Sequence, residues 1–423
     1  MSGNASEKSP KASMRVLWVA QSCSLQDQEE NLGLVGRTEG IITQYCGDRI
    51  QLAVVYMADG IHERKILKDG IVYYAVDADL RVGITDADWE KAREELLRVI
   101  EDYRPDIIQC FGAEWPYGAI AESVDIPVVI HMMGFLNIYF PSIHMARGDA
   151  GPSVRKESLL KTAARRMLHR ELPKESAEDL QSRFERRVMS ANRYFFGRTE
   201  WDRNIVRYYA PDSQYFHVPE AIKPCIYNAA GQWEYHFHEK IRLFSLSSAD
   251  DRKGNEIILQ TAKLLKELLH LDVVWKVAGS KDFFPYFEQR TAIRHEDVGI
   301  ELLGMLGSRE IIEELKSADL FVHPSIIDNS PHAVCEAQLL GCPVLASNVG
   351  GVPDLVTDRE TGFLYPYNEP HTLAFMIVNL CKDRQTLSAI SRKAVAAARS
   401  RHEPRAIASI MLQSYQQIIG KES

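Results

Sequence analysis

No stretch of the chain approaches the roughly 18 uninterrupted apolar residues that a membrane-spanning helix needs, so no transmembrane helix is expected. No C-x-x-C pair occurs among the seven cysteines, Cys23, Cys46, Cys110, Cys225, Cys335, Cys342 and Cys381. An odd, dispersed set in a chain of this size reads as reduced, apolar thiols rather than a disulfide framework or a zinc site. Neither G-x-S-x-G nor H-E-x-x-H is present, which leaves the hydrolase chemistries of those motifs without support. A basic excess is also missing: 50 Lys and Arg stand against 58 Asp and Glu, for a net charge of −8. Nucleic acid is therefore not an expected partner. Gly33, Gly36 and Gly40 are spaced G-x2-G-x3-G, which is not the dinucleotide fingerprint, so a nicotinamide cofactor is not expected.

What is present is the composition of a soluble, cytoplasmic globular protein, 45% hydrophobic and 26% charged over 423 residues. That length exceeds one ordinary core and predicts two domains. Residues 1–13 are polar and lack an apolar signal region, and read as a disordered leader. From Met14 onward, strand-length apolar runs (Met14 to Ala20, Ile50 to Met57, Ile71 to Val76, Pro105 to Phe111, Pro127 to His131) alternate with amphipathic stretches such as Asp88 to Tyr103. The same grammar restarts near residue 240, with strands at 241–247, 273–279, 299–304, 319–325 and 343–347 and helices at 255–269, at 309–318 and after Ser330. Alternation of this kind predicts an α/β architecture of two doubly wound, Rossmann-like domains. The stretch Pro219 to Lys240, irregular and broken by two prolines and a glycine, reads as the interdomain linker.

Residues 155–170 carry six basic residues against the single acid Glu157, with Leu159, Leu160, Ala163, Ala164, Met167 and Leu168 at helical spacing. A helix with one apolar and one cationic face suits a surface position, and could equally meet an anionic membrane at the inner face.

The chemistry concentrates in PSIIDNSPHAVCEAQLLGCPVLASNVGGVPDLVTDRETGFLYP, from Pro324 to Pro366. It begins where a strand ends, the place at which doubly wound sheets bind ligands. Asn329 and Ser330 read as N-caps with Pro331 at the first helical position, so a helix is expected to start here with free N–H groups suited to a phosphate. Asp328 lies just before that helix and Glu336 eight residues on, a pair of acceptors for sugar and ribose hydroxyls. Alone, the pair reads rather as part of a helix cap, with Ser330, and a surface acid.

The whole segment resembles the signature of glycosyltransferase family 4, the retaining bacterial group 1 enzymes of GT-B fold. The matching elements, in order, are Pro324-Ser325, Asp328, Glu336, Gly341 to Ala346, Gly350-Gly351-Val352-Pro353-Asp354 and Gly362-Phe363-Leu364. Upstream, Ser247 to Leu265 resembles the family's G-R-x-x-x-x-K-G segment: Lys253-Gly254 matches, but Ser247 and Ser248 stand where the family has Gly and Arg. Leu302 to Ser325 resembles the family's base-binding stretch. Phe196 to Val206 (FGRTEWDRNIV) resembles a run found in some bacterial members.

The resemblance implies a retaining transfer of a sugar from a nucleotide-diphosphate sugar to a glycan or lipid-linked hydroxyl acceptor in bacterial polysaccharide biosynthesis, with no metal and no other cofactor. Residues 14–224 would hold the acceptor and residues 225–423 the donor, the last helix, near Ile407 to Ile419, crossing back to the first domain. Asp328, Glu336, Lys253 and His131 are the candidate catalytic residues. His131 enters because the family's histidine position, before the glycine of VVIHMMG, is Met133, and a shift of two along a strand keeps the same face. Candidate donor contacts are Ser248, Arg252 as a substitute cation, Gly304, Met305 and Leu306 against the base, Asn329, Ser330, Pro331 and His332 at the helix start, and Gly33 and Gly36 after the first strand. The departures at Ser248 and Met133 leave one alternative, a non-catalytic sugar-nucleotide-binding or scaffold subunit.

Overall fold

The computed structural model describes residues 13–26, 33–58, 64–77, 85–147, 176–236, 238–248 and 250–422. Residues 1–12 of the expected leader and the basic stretch 155–170 lie outside the described residues.

Apolar, β-branched runs form the strands. The first eight are β1 (Met14–Ala20), β2 (Ile50–Met57), β3 (Lys65–Lys68), β4 (Ile71–Val76), β5 (Ile107–Phe111), β6 (Val128–His131), β7 (Tyr194–Gly197) and β8 (Gln214–His217). They make one sheet in the order β3-β4-β2-β1-β5-β6-β7-β8. All pairs are parallel except β3, which runs antiparallel to β4 at the edge. Two lysines on that four-residue strand suit an unpaired margin.

Six further strands, β9 (Ile241–Leu246), β10 (Val273–Ala278), β11 (Ile300–Gly304), β12 (Leu320–His323), β13 (Val344–Ser347) and β14 (Phe363–Tyr365), form a second sheet in the order β11-β10-β9-β12-β13-β14. Its named pairings are all parallel. Strand order reverses at β1 in the first sheet and at β9 in the second, and crevices open at the carboxyl ends of strands at such points.

Helices α1 (Leu34–Cys46), α2 (Asp86–Tyr103), α3 (Leu136–Arg147), α4 (Ala177–Ala191) and α5 (Glu200–Tyr209) accompany the first sheet. The passage between sheets holds the short α6 (Pro224–Asn228). It is packed rather than free: Ile222, Ile226, Ala229 and Trp233 are buried in the core of the second sheet. Helices α7 (Asn255–Lys263), α8 (Phe284–Thr291), α9 (Ser308–Ser317), α10 (His332–Leu340), α11 (Val352–Leu355), α12 (Pro370–Cys381) and α13 (Arg384–Arg401) follow, and α14 (Pro404–Glu422) ends the chain. The expected helix 255–269 is α-helical only to Lys263 and continues as a π turn over Leu264–Leu268.

Helix α14 joins the core of the first sheet, burying Ile407, Ala408, Met411, Leu412, Tyr415 and Ile418 against residues that include Val16 and Trp18. Full burial of such side chains contributes about 1.5–3 kcal/mol each, and the buried Trp18 indole also donates to the Tyr415 hydroxyl at 3.1 Å. The chain thus returns to the first sheet after completing the second. No helix of the described residues is long and apolar enough to cross a membrane.

Candidate active site

A cavity of about 610 Å3 lies at the two strand-order reversals, between the carboxyl ends of both sheets, within the size range of small-molecule sites. The first sheet contributes Gly33, Leu34 and Arg37 from the start of α1, Glu114 after β5, Met133, Gly134, Leu136 and Tyr139 after β6, and Arg198 after β7. The second contributes Ser247 and Ser248 after β9, Arg252 and Lys253 before α7, Asp328 after β12, and Ser330, Pro331, His332 and Glu336 at and inside α10.

Glycines set the loops of the second sheet against each other. Gly254 has a φ of +69°, and a Cβ there would lie 1.9 Å from the Pro324 carbonyl oxygen. Gly350 and Gly351 let their loop reach the backbone of Asp328 and Asn329, where added Cβ atoms would sit 2.0 and 2.1 Å from the carbonyl oxygens. Such contacts admit no side chain, so the glycines of the two motifs hold Lys253 and Asp328 together. The Lys253 ammonium donates to the Asp328 carboxylate at 2.7 Å, and His323 Nε2 lies 3.4 Å from the same carboxylate. Desolvation alone would raise the Asp328 carboxyl; Lys253 and His323 override it and hold the acid well below the usual carboxylate range.

Glu336 is 4% exposed, and burial raises its pKa against the pull of Lys223 and Arg37. Facing α10, the fully buried Glu220 of the interdomain passage accepts from Arg198, from the Ser330 hydroxyl at 3.1 Å and from His332. Arg37 reaches His332 Nδ1 from the first sheet at 2.7 Å. Arg252 pairs with Asp250 and lays its guanidinium 4.2 Å over the Tyr139 ring.

Residues 233–397 match the family described as glycosyl transferases group 1, and this stretch carries Lys253, Asp328, Ser330 and Glu336. That stretch is a group 1 glycosyltransferase region. Curated relatives include the amylovoran biosynthesis glycosyltransferase AmsK of Erwinia amylovora, 26% identical over 34% of this chain and 36% of its own length. The D-inositol 3-phosphate glycosyltransferase of Paenarthrobacter aurescens is 29% identical over 40% of this chain and 41% of its own. These alignments therefore span less than half of either relative. Among solved structures, the sucrose-phosphate synthase of Thermosynechococcus elongatus superposes with a TM-score of 0.72 at 12% identity, covering 96% of this chain and 100% of that one. Anabaena HepE in complex with UDP and glucose gives 0.64 at 16% identity, over 95% and 99%. The fold of this chain is GT-B.

Not every expected site residue reaches the cavity. His131, the last residue of β6, is 2% exposed, stacks on Phe111 at 5.1 Å and neighbours Gln109, whose Nε2 is 3.3 Å from its Nδ1. Burial pushes its imidazole down to about 3, which keeps it neutral and part of the core. The strand parity that nominated it fails because β6 ends there, so Met133 lies on the following loop and lines the cavity in its place. Gly36 is buried in the first turn of α1 and does not line the cavity, although Gly33 does. Gly304, Met305 and Leu306 also lie off it, because β11 is an edge strand two positions from β9; Met305 is 79% exposed.

The helix start differs as well. Helix α10 begins at His332 with Pro331 in the cap position and no side-chain cap. Ser330 instead donates to Glu220, and Asn329 ties the two sheets together: it accepts from the Thr199 hydroxyl at 2.8 Å and donates to Asp202 at 2.6 Å. Arg37, Glu114, Tyr139, Arg198, Glu220 and Lys223 were not nominated from the sequence. Only Arg198 carried a signal, as the Arg of the G-R-T-x-W-D-R run.

Proposed function

We propose that the chain transfers a sugar, with retention of anomeric configuration, from a nucleotide-diphosphate sugar to a hydroxyl of a glycan or lipid-linked acceptor. The observation that carries this reading is the convergence of Lys253, Asp328, Ser330 and Glu336 on one cavity at both sheet reversals. The donor lies along the second sheet: Glu336 accepts from the ribose hydroxyls, and Lys253 with the free N–H groups at the start of α10 offsets the diphosphate. The bond from the anomeric carbon to the phosphate oxygen breaks, the acceptor oxygen bonds that carbon on the same face, and its proton passes to the leaving phosphate. Charge grows on that phosphate as the bond breaks, and donors already in place there lower the barrier. Lys253 and the α10 amides supply the offsetting charge in this reading, and no metal is assigned a part.

Two charge-assisted hydrogen bonds to Glu336 are worth about 1.5–3 kcal/mol each, so Glu336→Ala should weaken donor binding at least about tenfold. Calorimetric titration with the productive nucleotide sugar checks this; an unchanged Kd removes Glu336 from the donor site. For a lipid-linked acceptor, the basic stretch 155–170 is the segment whose sequence suits an anionic surface. Flotation with anionic liposomes should then carry the chain upward, and a chain that stays with the dense fraction removes the membrane element.

A further inference from the structure

The acids around the cavity divide into two kinds. Asp328 is held by Lys253, Glu220 by Arg198 and His332, and Asp250 by Arg252. Glu114, on the first-sheet wall, has no lysine, arginine or histidine nitrogen of the described residues within 4.0 Å. Among the described residues its one hydrogen bond to another residue is a long one from the Gly134 amide, at 3.5 Å. Arg198 and Arg252 act on it only from a distance, since Arg198 is engaged by Glu220 and the Met133 carbonyl and Arg252 by Asp250 and the Tyr139 ring.

Gly134 forms the floor beside it. A Cβ on Gly134 would lie 3.0 Å from the Tyr139 ring and 3.6 Å from Glu114 Oε1, so the glycine keeps a hollow open between a carboxylate and an aromatic edge. Tyr139 is itself fixed, stacked on Trp201 at 5.9 Å and covered by Arg252. An aromatic edge beside a carboxylate with free lone pairs fits a sugar ring, which meets the edge with its C–H groups and the carboxylate with hydroxyl donors at its rim. The same carboxylate repels an anion placed there.

We propose that Glu114 is the specificity-determining residue of the acceptor: its carboxylate accepts from a hydroxyl of an uncharged sugar ring seated over Gly134 against Tyr139, and it excludes a ring that presents a phosphate or carboxylate at that position. The inference rests on the transferase reading above and names the chemical class of its acceptor. Burial raises the Glu114 pKa, with the Gly134 amide and the two arginines opposing the rise, as a carboxylate awaiting hydroxyl donors would show.

The test uses the full chain, a productive nucleotide sugar, and acceptors in pairs: a neutral aryl hexoside and the corresponding hexose phosphate. Wild type should use the neutral acceptor with kcat/KM at least about a hundredfold higher. Glu114→Gln should raise the neutral-acceptor KM about tenfold or more, the loss of a single charged hydrogen bond, and narrow the discrimination against the phosphate. Donor Kd should not change. Gly134→Ala, which keeps the charge and fills the hollow, should also raise acceptor KM, so the proposal does not hang on one variant. Equal use of neutral and phosphorylated acceptors by wild type overturns it, as does an unchanged acceptor KM in both variants. A donor Kd weakened about tenfold or more in Glu114→Gln also overturns it, by moving Glu114 to the donor side. Absence of donor binding and donor hydrolysis in wild type would instead sink the transferase reading itself.

Discussion

Replacing Glu220 by Ala should lower the unfolding free energy by roughly 3–5 kcal/mol, the range for breaking one partner of a buried ion pair. The side chain of Glu220 is 1% exposed and that of Arg198 is 5% exposed. Without the carboxylate, the Arg198 guanidinium keeps the Met133 carbonyl as its hydrogen-bond partner among the described residues, and with its ion-pair partner gone only the more distant Asp202 charge opposes its burial. The loss also crosses the sheets: Arg198 follows β7, Glu220 sits on the passage, and Ser330 and His332 belong to the second sheet. The Glu220 carbonyl holds His402, just before α14, at 2.9 Å. A drop of that size corresponds to a melting temperature lower by on the order of 10 °C, with transfer activity falling as the cavity walls separate. An Ala variant melting within a degree of wild type would remove Glu220 from this role. The double variant Glu220→Leu, Arg198→Met should recover much of the stability, because a well-packed apolar pair replaces a buried ion pair at little cost, yet it should not recover activity. The pH dependence follows the same pair. Desolvation raises the Glu220 carboxyl, but Arg198 and His332 outweigh it and hold the acid far below its ordinary range. A lowered folded value means the stabilisation is fully present above the unfolded value of about 4.3 and is lost as pH falls below it toward the folded value.

Much of the second half was readable from local pattern. Strands β9 to β13 fall where apolar runs predicted them, and the glycines of the Pro324 to Pro366 segment mark close backbone approaches that any side chain would block. Lys253 and Asp328 meet, with Glu336 on the same cavity, because the connections after β9 and β12 leave neighbouring parallel strands at one end of a sheet, a consequence of topology that the strand and helix alternation implies. The first half was legible as a fold but not as a site. Glu114, Tyr139 and Arg37 face the cavity through long-range packing, and nothing in their immediate sequence separates them from ordinary surface or core residues. Glu220 was hidden because Pro219 to Lys240 reads as linker, while the structure uses it as the joint between the sheets. His131 was misplaced by a parity argument valid only inside a strand, and the strand stops at that residue. Asn329 was taken for a helix cap because its type suits one; its hydrogen bonds run instead to Thr199 and Asp202, partners more than a hundred residues away.

Lys253→Ala should reduce kcat by about 10²–10³, the cost of removing one positioned donor from a developing negative charge. Position gives Lys253 this weight. It ends a single 3-10 turn, Asp251–Lys253, whose exit is the left-handed Gly254 wedged against Pro324. The Arg252 carbonyl accepts from Ile326 at 2.7 Å, so the turn is pinned to the loop that carries Asp328. Of the three ammonium protons, one serves Asp328 and, among the described residues, two remain for phosphate oxygens. Alanine both removes the cation and leaves Asp328, 9% exposed, as an unopposed negative charge beside the donor diphosphate. The two effects separate in a double-mutant cycle. Asp328→Asn alone should be the milder change, since Lys253 keeps its charge. Lys253→Ala with Asp328→Asn should be more active than Lys253→Ala by itself if repulsion contributes. Lys253→Arg should recover only part of the rate, because a planar guanidinium does not reproduce a compact ammonium in a loop built around one. Steady-state rates with saturating donor, together with donor Kd for each variant, decide among these outcomes. A Lys253→Ala enzyme within threefold of wild type in kcat and Kd would move the diphosphate away from this loop and leave the α10 amides and Arg37 as its principal partners.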